Sequence, residues 1–297
     1  MQLFNSNYKW YKGNTHTHTT NSDGRLTPNE AIELYKSKGY DFLCLTDHYK
    51  QSEPVDCSEF LQLSGVELDC MKEHSAYHIV GIGMESDFVL DKTKQILPQM
   101  LIDSIIQSGG RAILAHPSWS LMTSEETLKL KGLCGAEVFN SVSRPPFTGD
   151  RADSSVFLDV VAAYGLPLPL FAADDSHYYK GDECYAFIYV NAPALTRNDI
   201  LQGIDNGRFY ATQGPKFHQI EIKDDVITVN CSPCNRAIFY SNVVWTPNRV
   251  QEPNGVHEQT NSEYFSYKIN KNDFFVRIEL NDDTGKKAWS SYIRVKE

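Results

Sequence analysis

Short apolar runs alternate with amphipathic stretches from residue 12 to about residue 190. Residues 41–45 have the short apolar run of a buried strand, and residues 61–66 are predicted to form another strand. Before them, Thr27-Pro28-Asn29-Glu30 has the form of a capping box with proline at the first helical position. This box predicts an amphipathic helix that ends near Gly39. Further helices are predicted at about 98–108, 154–164 and 196–206.

A polar residue of catalytic type follows many of the predicted strands. Thr46-Asp47-His48 comes after the strand at 41–45, Glu67 follows 61–66, and His116 follows the apolar run 111–115. Repeated strand, polar residue and helix are typical of a parallel β/α barrel, whose sites form at the carboxyl ends of its strands. About seven such units can be counted, so we expect an irregular barrel within residues 1–206.

The pattern changes after residue 206. Residues 218–222, 226–229, 237–240 and 264–269 alternate between apolar and polar positions, and turn residues separate them at short intervals. This spacing predicts a small all-β domain at 207–297, resembling an antiparallel sandwich. No cluster of potential metal ligands lies in this part of the sequence.

Composition and charge narrow the classes of function. The 297 residues include 41% hydrophobic and 22% charged residues, as in an ordinary globular protein. The net charge of −10 disfavours nucleic acid as a partner. A basic leader followed by an apolar run is missing from the N-terminus, and no apolar stretch approaches about 18 residues, so we expect a cytoplasmic protein without a membrane segment.

The seven cysteines are odd in number and mostly lie in apolar segments, which indicates reduced core thiols. Cys231-Ser-Pro-Cys234 is the exception. A single Cys-x-x-Cys is a weak zinc or redox motif, and we interpret it as two structural cysteines at a β-turn.

Histidines and carboxylates form the main candidate site. His16 and His18 are two residues apart, so on an extended segment both side chains leave the same face and can bind one ion. His78 is preferred to His74 because it lies in a strand-like run. Nine nitrogen and oxygen ligands, without cysteine, suit Zn, Mn or Fe and exceed what one ion can bind, so two or three divalent ions are expected. The nine candidates are His16, His18, Asp23, His48, Glu67, His78, His116, Asp175 and His177.

Taken together, these motifs resemble the PHP (polymerase and histidinol phosphatase) superfamily. They occur in the order of that family across residues 12 to about 190: His16-x-His18, Ser22-Asp23-Gly24, Thr46-Asp47-His48, Gly65-Val66-Glu67, His78-Ile-Val-Gly81, His116-Pro117, Glu137-Val-Phe-Asn140 and Asp175-x-His177. The tail, with Gly207-Arg-Phe-Tyr-Ala-Thr, Cys231-Ser-Pro and Ala288-Trp289-Ser290, resembles the stand-alone PHP hydrolases of the CehA/McbA type.

The resemblance implies a distorted (β/α)7 barrel with a trinuclear metal site. By the family motifs, His16, His18, Glu67 and Asp175 would bind the first ion. Glu67 would bridge to a second ion, which His78 and His116 would also bind. Asp23, His48 and His177 would bind the third.

Other residues receive roles next to the metals. Asp47 is next to a ligand in the sequence and is expected to orient that ligand rather than to bind metal. Either Asp47 or Asp174 could transfer the proton to the leaving group. The resemblance adds Asn140 to the expected substrate-binding residues. Arg144 and Lys180, in loops after strand ends, are candidate clamps for phosphate or carboxylate, although solvated loop cations would look the same in the sequence.

The sequence therefore predicts a metal-dependent hydrolase in which a hydroxide bridging two metals attacks the substrate. A phosphoesterase acting on a small phosphomonoester or phosphodiester is the expected activity. A CehA-like carboxylic or carbamic ester hydrolase is the alternative. A non-catalytic binding module would have lost some of the ligands, whereas all nine positions are intact here.

Overall fold

A computed structural model of the chain describes residues 1–57, 59–91, 93–253 and 261–296. The helices in this part are α1 (Pro28–Ser37), α2 (Pro98–Gln107), α3 (Ser124–Thr127), α4 (Ser155–Ala163) and α5 (Arg197–Asp205). The strands are β1 (Lys9–Asn14), β2 (Phe42–Cys44), β3 (Val55–Cys57), β4 (Phe60–Leu63), β5 (Gly65–Lys72), β6 (Ser75–Ile82), β7 (Arg111–Leu114), β8 (Leu133–Asn140), β9 (Leu170–Ala173), β10 (Phe187–Ala192), β11 (Phe209–Thr212), β12 (Phe217–Lys223), β13 (Val226–Cys234), β14 (Arg236–Ser241), β15 (Val250–Gln251), β16 (Ser262–Lys268), β17 (Phe275–Asn281), β18 (Lys287–Ser290) and β19 (Ile293–Arg294).

Local sequence determines where the long helices begin. Thr27 is the N-cap of α1, and its hydroxyl accepts from the backbone N–H of Glu30 while the Glu30 carboxylate accepts from the Thr27 N–H. The predicted capping box is therefore confirmed. Ala31 and Tyr35 form the buried face of this helix, which packs near β2. Helix α2 covers β5, β6 and β7, and α5 packs on β10.

The first part of the chain forms two groups of strands. β1, β2 and β4 pair in parallel, and β5 to β9 form a five-stranded sheet in chain order. Within the second sheet, β7, β8 and β9 are parallel, but β5, β6 and β7 pair antiparallel. The two sheets meet at two isolated bridges, Thr17 with Ser176 and His48 with Glu67.

This arrangement does not confirm the expected (β/α)7 barrel. Within the residues that the structure describes, isolated bridges rather than continuous pairing join the two sheets, and the fold is a mixed α/β structure with several sheets and few helices. The predicted strand 61–66 is divided between β4 and β5. The turn at 73–74 joins β5 and β6 as a hairpin, so Glu67 lies inside a strand rather than after a parallel strand end, and His78 lies inside β6, as expected from its strand-like run.

The strands beyond residue 207 continue a sheet from the first part. β11 pairs with β10, β18 with β11, and β17 with β18, so one eleven-stranded sheet runs from β3 to β15. A separate antiparallel sheet consists of β12, β13 and β16. Apolar side chains from both sheets share one core, including Ile220, Val229, Phe265, Phe239 and Ile278. Main-chain hydrogen bonds therefore cross the domain boundary expected near residue 207.

Cys231 and Cys234 are buried at the end of β13, where the pairing with β16 is irregular. The free thiols are those of Cys44, Cys70, Cys134, Cys184, Cys231 and Cys234. No helix within the described ranges is long and apolar enough to cross a membrane.

Candidate metal centre

The site is built first by the extended segment that follows β1. His16 and His18 are fully buried, and their Nε2 atoms are 3.2 Å apart. Their alternation with Thr15 and Thr17 places both imidazoles on one side of the segment. Two Nε2 atoms this close together converge on one point, which is the arrangement of a shared cation.

Two carboxylates complete this first group of ligands. Glu67 Oε2 lies 3.3 Å from His16 Nε2 and 3.0 Å from His18 Nε2, and Asp175 Oδ1 lies 3.1 Å from both nitrogen atoms. Four ligands at about 2.1 Å around a tetrahedral ion would be roughly 3.4 Å apart. The observed separations fit such an ion closely.

Asp175 supports this interpretation independently. Its Oδ1 is buried, and within the described structure no donor makes a hydrogen bond of normal geometry to it. Because buried carboxylate oxygens are otherwise paired, an orphan oxygen beside two imidazoles indicates a cation site. The backbone of Asp175 has a φ of 54° and that of His116 a φ of 24°. Such left-handed conformations of non-glycine residues occur at functional sites.

A second group lies toward the cavity mouth. Asp23 Oδ1 is 3.4 Å from His177 Nε2 and 3.4 Å from His18 Nδ1, and its Oδ2 is 3.8 Å from His48 Nε2. The rings of His18 and His177 stack with centroids 4.1 Å apart. His18 therefore faces the first group with Nε2 and the second with Nδ1.

The third group shares Glu67 with the first group and adds His48 and His78. Glu67 Oε1 is 2.7 Å from His78 Nδ1, and Glu67 Oε2 is 3.4 Å from His48 Nδ1. Ligand atoms of these three residues can reach one ion. His116 is adjacent, with Nε2 3.6 Å from Glu67 Oε1 and from Asp175 Oδ2. Glu67 thus belongs to two groups: Oε2 faces His16, His18 and His48, and Oε1 faces His78.

The pKa shifts within the cluster show that its buried carboxylates stabilise nearby positive charge. Burial lowers the pKa of His16, but the surrounding carboxylates outweigh burial and raise that pKa well above its usual value. Burial also lowers the pKa of His177, and Asp175 with Asp23 raises it to about 9. In the opposite sense, burial raises the pKa of Glu67, but the imidazoles of His16 and His78 hold it well below its usual range. Divalent ions would replace these protons.

A carboxylate outside the expected ligand set positions the first group. Glu137 Oε1 lies 2.8 Å from His16 Nδ1, and Glu137 Oε2 accepts from the backbone N–H of His116 at 2.9 Å. A carboxylate beside Nδ1 favours the tautomer with the proton on Nδ1, which leaves the lone pair of Nε2 free to face the metal position. The sequence motif included Glu137 but assigned it no role; its place near the end of an apolar strand was the available signal.

Asn140, expected at the substrate, is fully buried behind the ligands. Its Nδ2 donates to Glu137 Oε2 at 2.8 Å and to Asp175 Oδ2 at 3.2 Å, while its Oδ1 accepts from the Ser143 hydroxyl. Asn140 therefore contacts two carboxylates of the cluster.

Asp47 and Asp174 are both buried away from the open cavity. Asp47 accepts from the backbone N–H of Thr19 at 2.8 Å, from the Thr19 hydroxyl at 2.7 Å and from the Ser22 hydroxyl at 2.7 Å. These bonds fix the turn that presents Asp23.

Asp174 is surrounded by donors of the protein. Tyr35 donates through its hydroxyl at 2.8 Å, Asn14 through its amide, and three consecutive backbone N–H groups at residues 184–186 at 2.7–2.9 Å. Burial raises the pKa of Asp174 to about 7, and these hydrogen bonds oppose the shift.

One cavity opens onto the cluster. Ligands form part of its lining, and the remainder comes from Trp119, Val142, Ser143, Thr148 and Tyr178. Trp119 and Tyr178 were not identified from the sequence, because nothing local distinguishes a cavity aromatic from a core aromatic.

The two expected clamps do not line this cavity. The Arg144 guanidinium lies 4.0 Å from the centre of the Tyr185 ring and donates to the Gly181 carbonyl oxygen. Lys180 is exposed, and its backbone N–H donates to Asp182.

Neither the protein-family models nor the curated proteins include a match to this chain. Among solved structures, the fold is similar to that of a two-domain protein from Bacteroides vulgatus, described as containing a predicted PHP-like metal-dependent phosphoesterase. The identity is 15%, the alignment covers 98% of this chain and 96% of the other, and the TM-score is 0.55.

Two further structures are more distant. An amidohydrolase from Chromobacterium violaceum matches 57% of this chain and 89% of its own at 18% identity, with a TM-score of 0.44. A candidate metal-dependent phosphoesterase from Bifidobacterium adolescentis matches 65% and 94% at 15% identity, with a TM-score of 0.40.

The fold and the site define a mixed α/β protein with overlapping histidine and carboxylate groups able to hold divalent metal ions. Its fold is like that of the two-domain, PHP-like protein over nearly the whole length of both chains. None of these three structures is described as a CehA/McbA protein, so that finer resemblance stays a prediction.

Proposed function

We propose that the protein is a metal-dependent phosphoesterase of the PHP type that hydrolyses a small phosphomonoester or phosphodiester. The observation that carries this proposal is the convergence of three ligand groups on one open cavity, with Glu67, His18 and His48 each shared between two groups. Shared ligands hold ions close together, which is the arrangement used to clamp an ester during displacement.

Charge favours a phosphate ester. Asp23, Glu67 and Asp175 are the proposed ligating carboxylates, and the other proposed ligands are imidazoles, which are neutral when they bind metal. Two divalent ions would outweigh these carboxylates by roughly one positive charge and three ions by roughly three. When bound, such ions lower the pKa of a coordinated water toward about 7 and neutralise charge on phosphoryl oxygens.

The residues around the ligands are proposed to orient them. We propose that Glu137 holds the tautomer of His16, that Asn140 holds Glu137 and Asp175, and that the Ser120 hydroxyl, 3.0 Å from His116 Nδ1, orients that ring. Asp47 and Asp174 are likewise proposed as positioning residues, because their oxygens are occupied by donors of the protein rather than directed into the cavity.

The test compares two ester classes with one protein preparation. Metal is removed with a chelator, Mn, Zn or Fe is restored, and turnover of p-nitrophenyl phosphate, its bis-ester and p-nitrophenyl acetate is measured. We expect metal-dependent release from the phosphate esters. Metal-dependent cleavage of the acetate without any phosphate release would instead establish the carboxylic ester hydrolase.

The matched variants are Glu67→Gln and Glu33→Gln. Glu67 belongs to two ligand groups, so its substitution should reduce turnover at least ~10²-fold and lower the metal content. Glu33 is exposed on α1, and its substitution should change neither quantity. Full metal content and activity in Glu67→Gln would refute the proposed metal assignment.

A further inference from the structure

The cavity wall beyond the ligands is uncharged. Its members are Trp119, Val142, Ser143, Thr148 and Tyr178, and within the described part of the chain no lysine or arginine lines the cavity. A substrate group that lies beyond the metal cluster therefore meets aromatic, aliphatic and hydroxyl surface.

Trp119 is held directly beside the ligands. Its ring centroid lies 4.9 Å from that of His116 and 5.8 Å from that of His78, with interplanar angles of 80° and 78°. Edge-to-face contacts of this kind fix the orientation of an aromatic ring. The half-buried indole is thus a rigid part of the wall next to the third ligand group.

Tyr178 lies beside the second ligand group, which contains His177. Its ring centroid is 6.4 Å from that of His177, and it stacks on Phe147 at 5.7 Å with an interplanar angle of 16°. The side chain is 38% exposed and forms part of the cavity lining. Phe147 supports one part of the ring and leaves the rest on the cavity.

Arg144 does not line the cavity and packs against Phe147, which supports Tyr178. Its guanidinium lies 5.4 Å from the centre of the Phe147 ring and bonds to the Gly181 carbonyl oxygen in the loop that follows Tyr178. The arginine therefore links the two loops that carry the aromatic pair. It is consequently not free to bind a second anionic group of the substrate.

We infer that the substrate is a phosphate ester whose leaving group is flat, aromatic and uncharged, and that Trp119 and Tyr178 bind this group. The metal cluster would attract the phosphoryl group, and the aromatic wall would select what is attached to it. This inference rests on the proposed phosphoesterase function and specifies its substrate class.

The experiment measures kcat/KM for phenyl phosphate, 4-carboxyphenyl phosphate and glycerol 2-phosphate with the metal-loaded protein. Trp119→Ala should lower kcat/KM for phenyl phosphate about tenfold and change the value for glycerol 2-phosphate less than about twofold, because only the aromatic group loses a partner. Trp119→Phe should restore most of the loss. The wild-type protein should also prefer phenyl over 4-carboxyphenyl phosphate, since no cation faces the carboxylate.

Binding supplies a readout that does not depend on turnover. Titration calorimetry should show tighter binding of phenylphosphonate than of methylphosphonate to the wild-type protein, and Tyr178→Ala should reduce this difference while the metal content stays unchanged. Equal losses for aromatic and aliphatic ligands would overturn the inference, as would a preference for the carboxylated ester. Absence of metal-dependent turnover with all three esters and with bis(p-nitrophenyl) phosphate would instead refute the proposed phosphoesterase function.

Discussion

At the scale of single residues, the site depends on side chains that hold the ligands as well as on the ligands themselves. Glu137 is the clearest case, since one oxygen faces His16 Nδ1 and the other accepts from the backbone of His116. Both ligands would lose their orientation together if this carboxylate were altered.

Glu137→Gln should therefore weaken metal binding about 10- to 100-fold, because an amide cannot replace a carboxylate on both imidazole and backbone donors. Metal titration with a competing chelator measures the change. Glu126→Gln is the control, since the Glu126 carboxylate pairs with Lys72 and Lys129 and belongs to none of the three ligand groups. Unchanged affinity in Glu137→Gln would show that Glu137 does not orient the ligands.

His177→Ala tests the independence of the outer group. His177 lies 3.4 Å from Asp23 and stacks on His18, but it belongs to only one of the three ligand groups. Elemental analysis should therefore show a loss of about one ion per chain while the others stay, in contrast to Glu67→Gln. Loss of all metal in His177→Ala would mean that the groups do not bind separately.

At the scale of elements, Asp174 joins three segments that are distant in sequence. It accepts from Asn14 at the end of β1, from Tyr35 on α1 and from the backbone immediately before β10. An acidic residue placed between strand ends and beside a ligand looks catalytic in the sequence, yet its contacts are those of a structural acceptor.

Asp174→Ala should destabilise the fold by at least ~3 kcal/mol, because several buried donors lose their acceptor at once. Urea unfolding measures this loss, and Asp87→Asn, an exposed carboxylate variant, should be neutral. The variant Asp174→Asn should retain turnover per bound metal. If Asp174→Asn keeps its stability while its turnover falls and the pH dependence of its turnover changes, Asp174 would instead be a proton-transfer residue.

At the scale of the whole molecule, a buried ion pair fastens the C-terminal strands to the first part. Arg277 on β17 is 1% exposed and donates to both oxygens of Asp159 on α4, at 2.9 and 2.7 Å. Tyr292 donates to the same carboxylate at 2.9 Å. Together with the continuous sheet through β10 and β11, this pair makes the two parts of the chain one packed unit.

Asp159→Ala should cost about 3 kcal/mol of unfolding free energy, since it leaves the Arg277 charge buried with a weaker partner, Glu279 at 3.4 Å. Thermal and urea unfolding should agree on the loss. The exposed pair of Lys94 and Asp91 is the control, and Asp91→Ala should change stability by less than about 1 kcal/mol. Equal effects of the two substitutions would show that the parts do not depend on this contact.

The sequence by itself determined the features that are local. Capping and periodicity specified α1, α2, α4 and α5 because helix ends and amphipathic faces are encoded within a few residues. It also selected histidines and carboxylates that the structure brings together in three overlapping groups, because several of these residues stand within or directly after apolar runs.

Only the tertiary structure decided the features that depend on distant partners. The β5–β6 hairpin breaks the parallel order because strand direction depends on which neighbour pairs, and an apolar run is compatible with either direction. In the same way, Arg144 and Asp174 have side chains of catalytic type, but what they do is decided by where the folded chain places donors and acceptors. Their partners lie at Gly181 and at Asn14, 37 and 160 residues away in sequence, where local patterns carry no information.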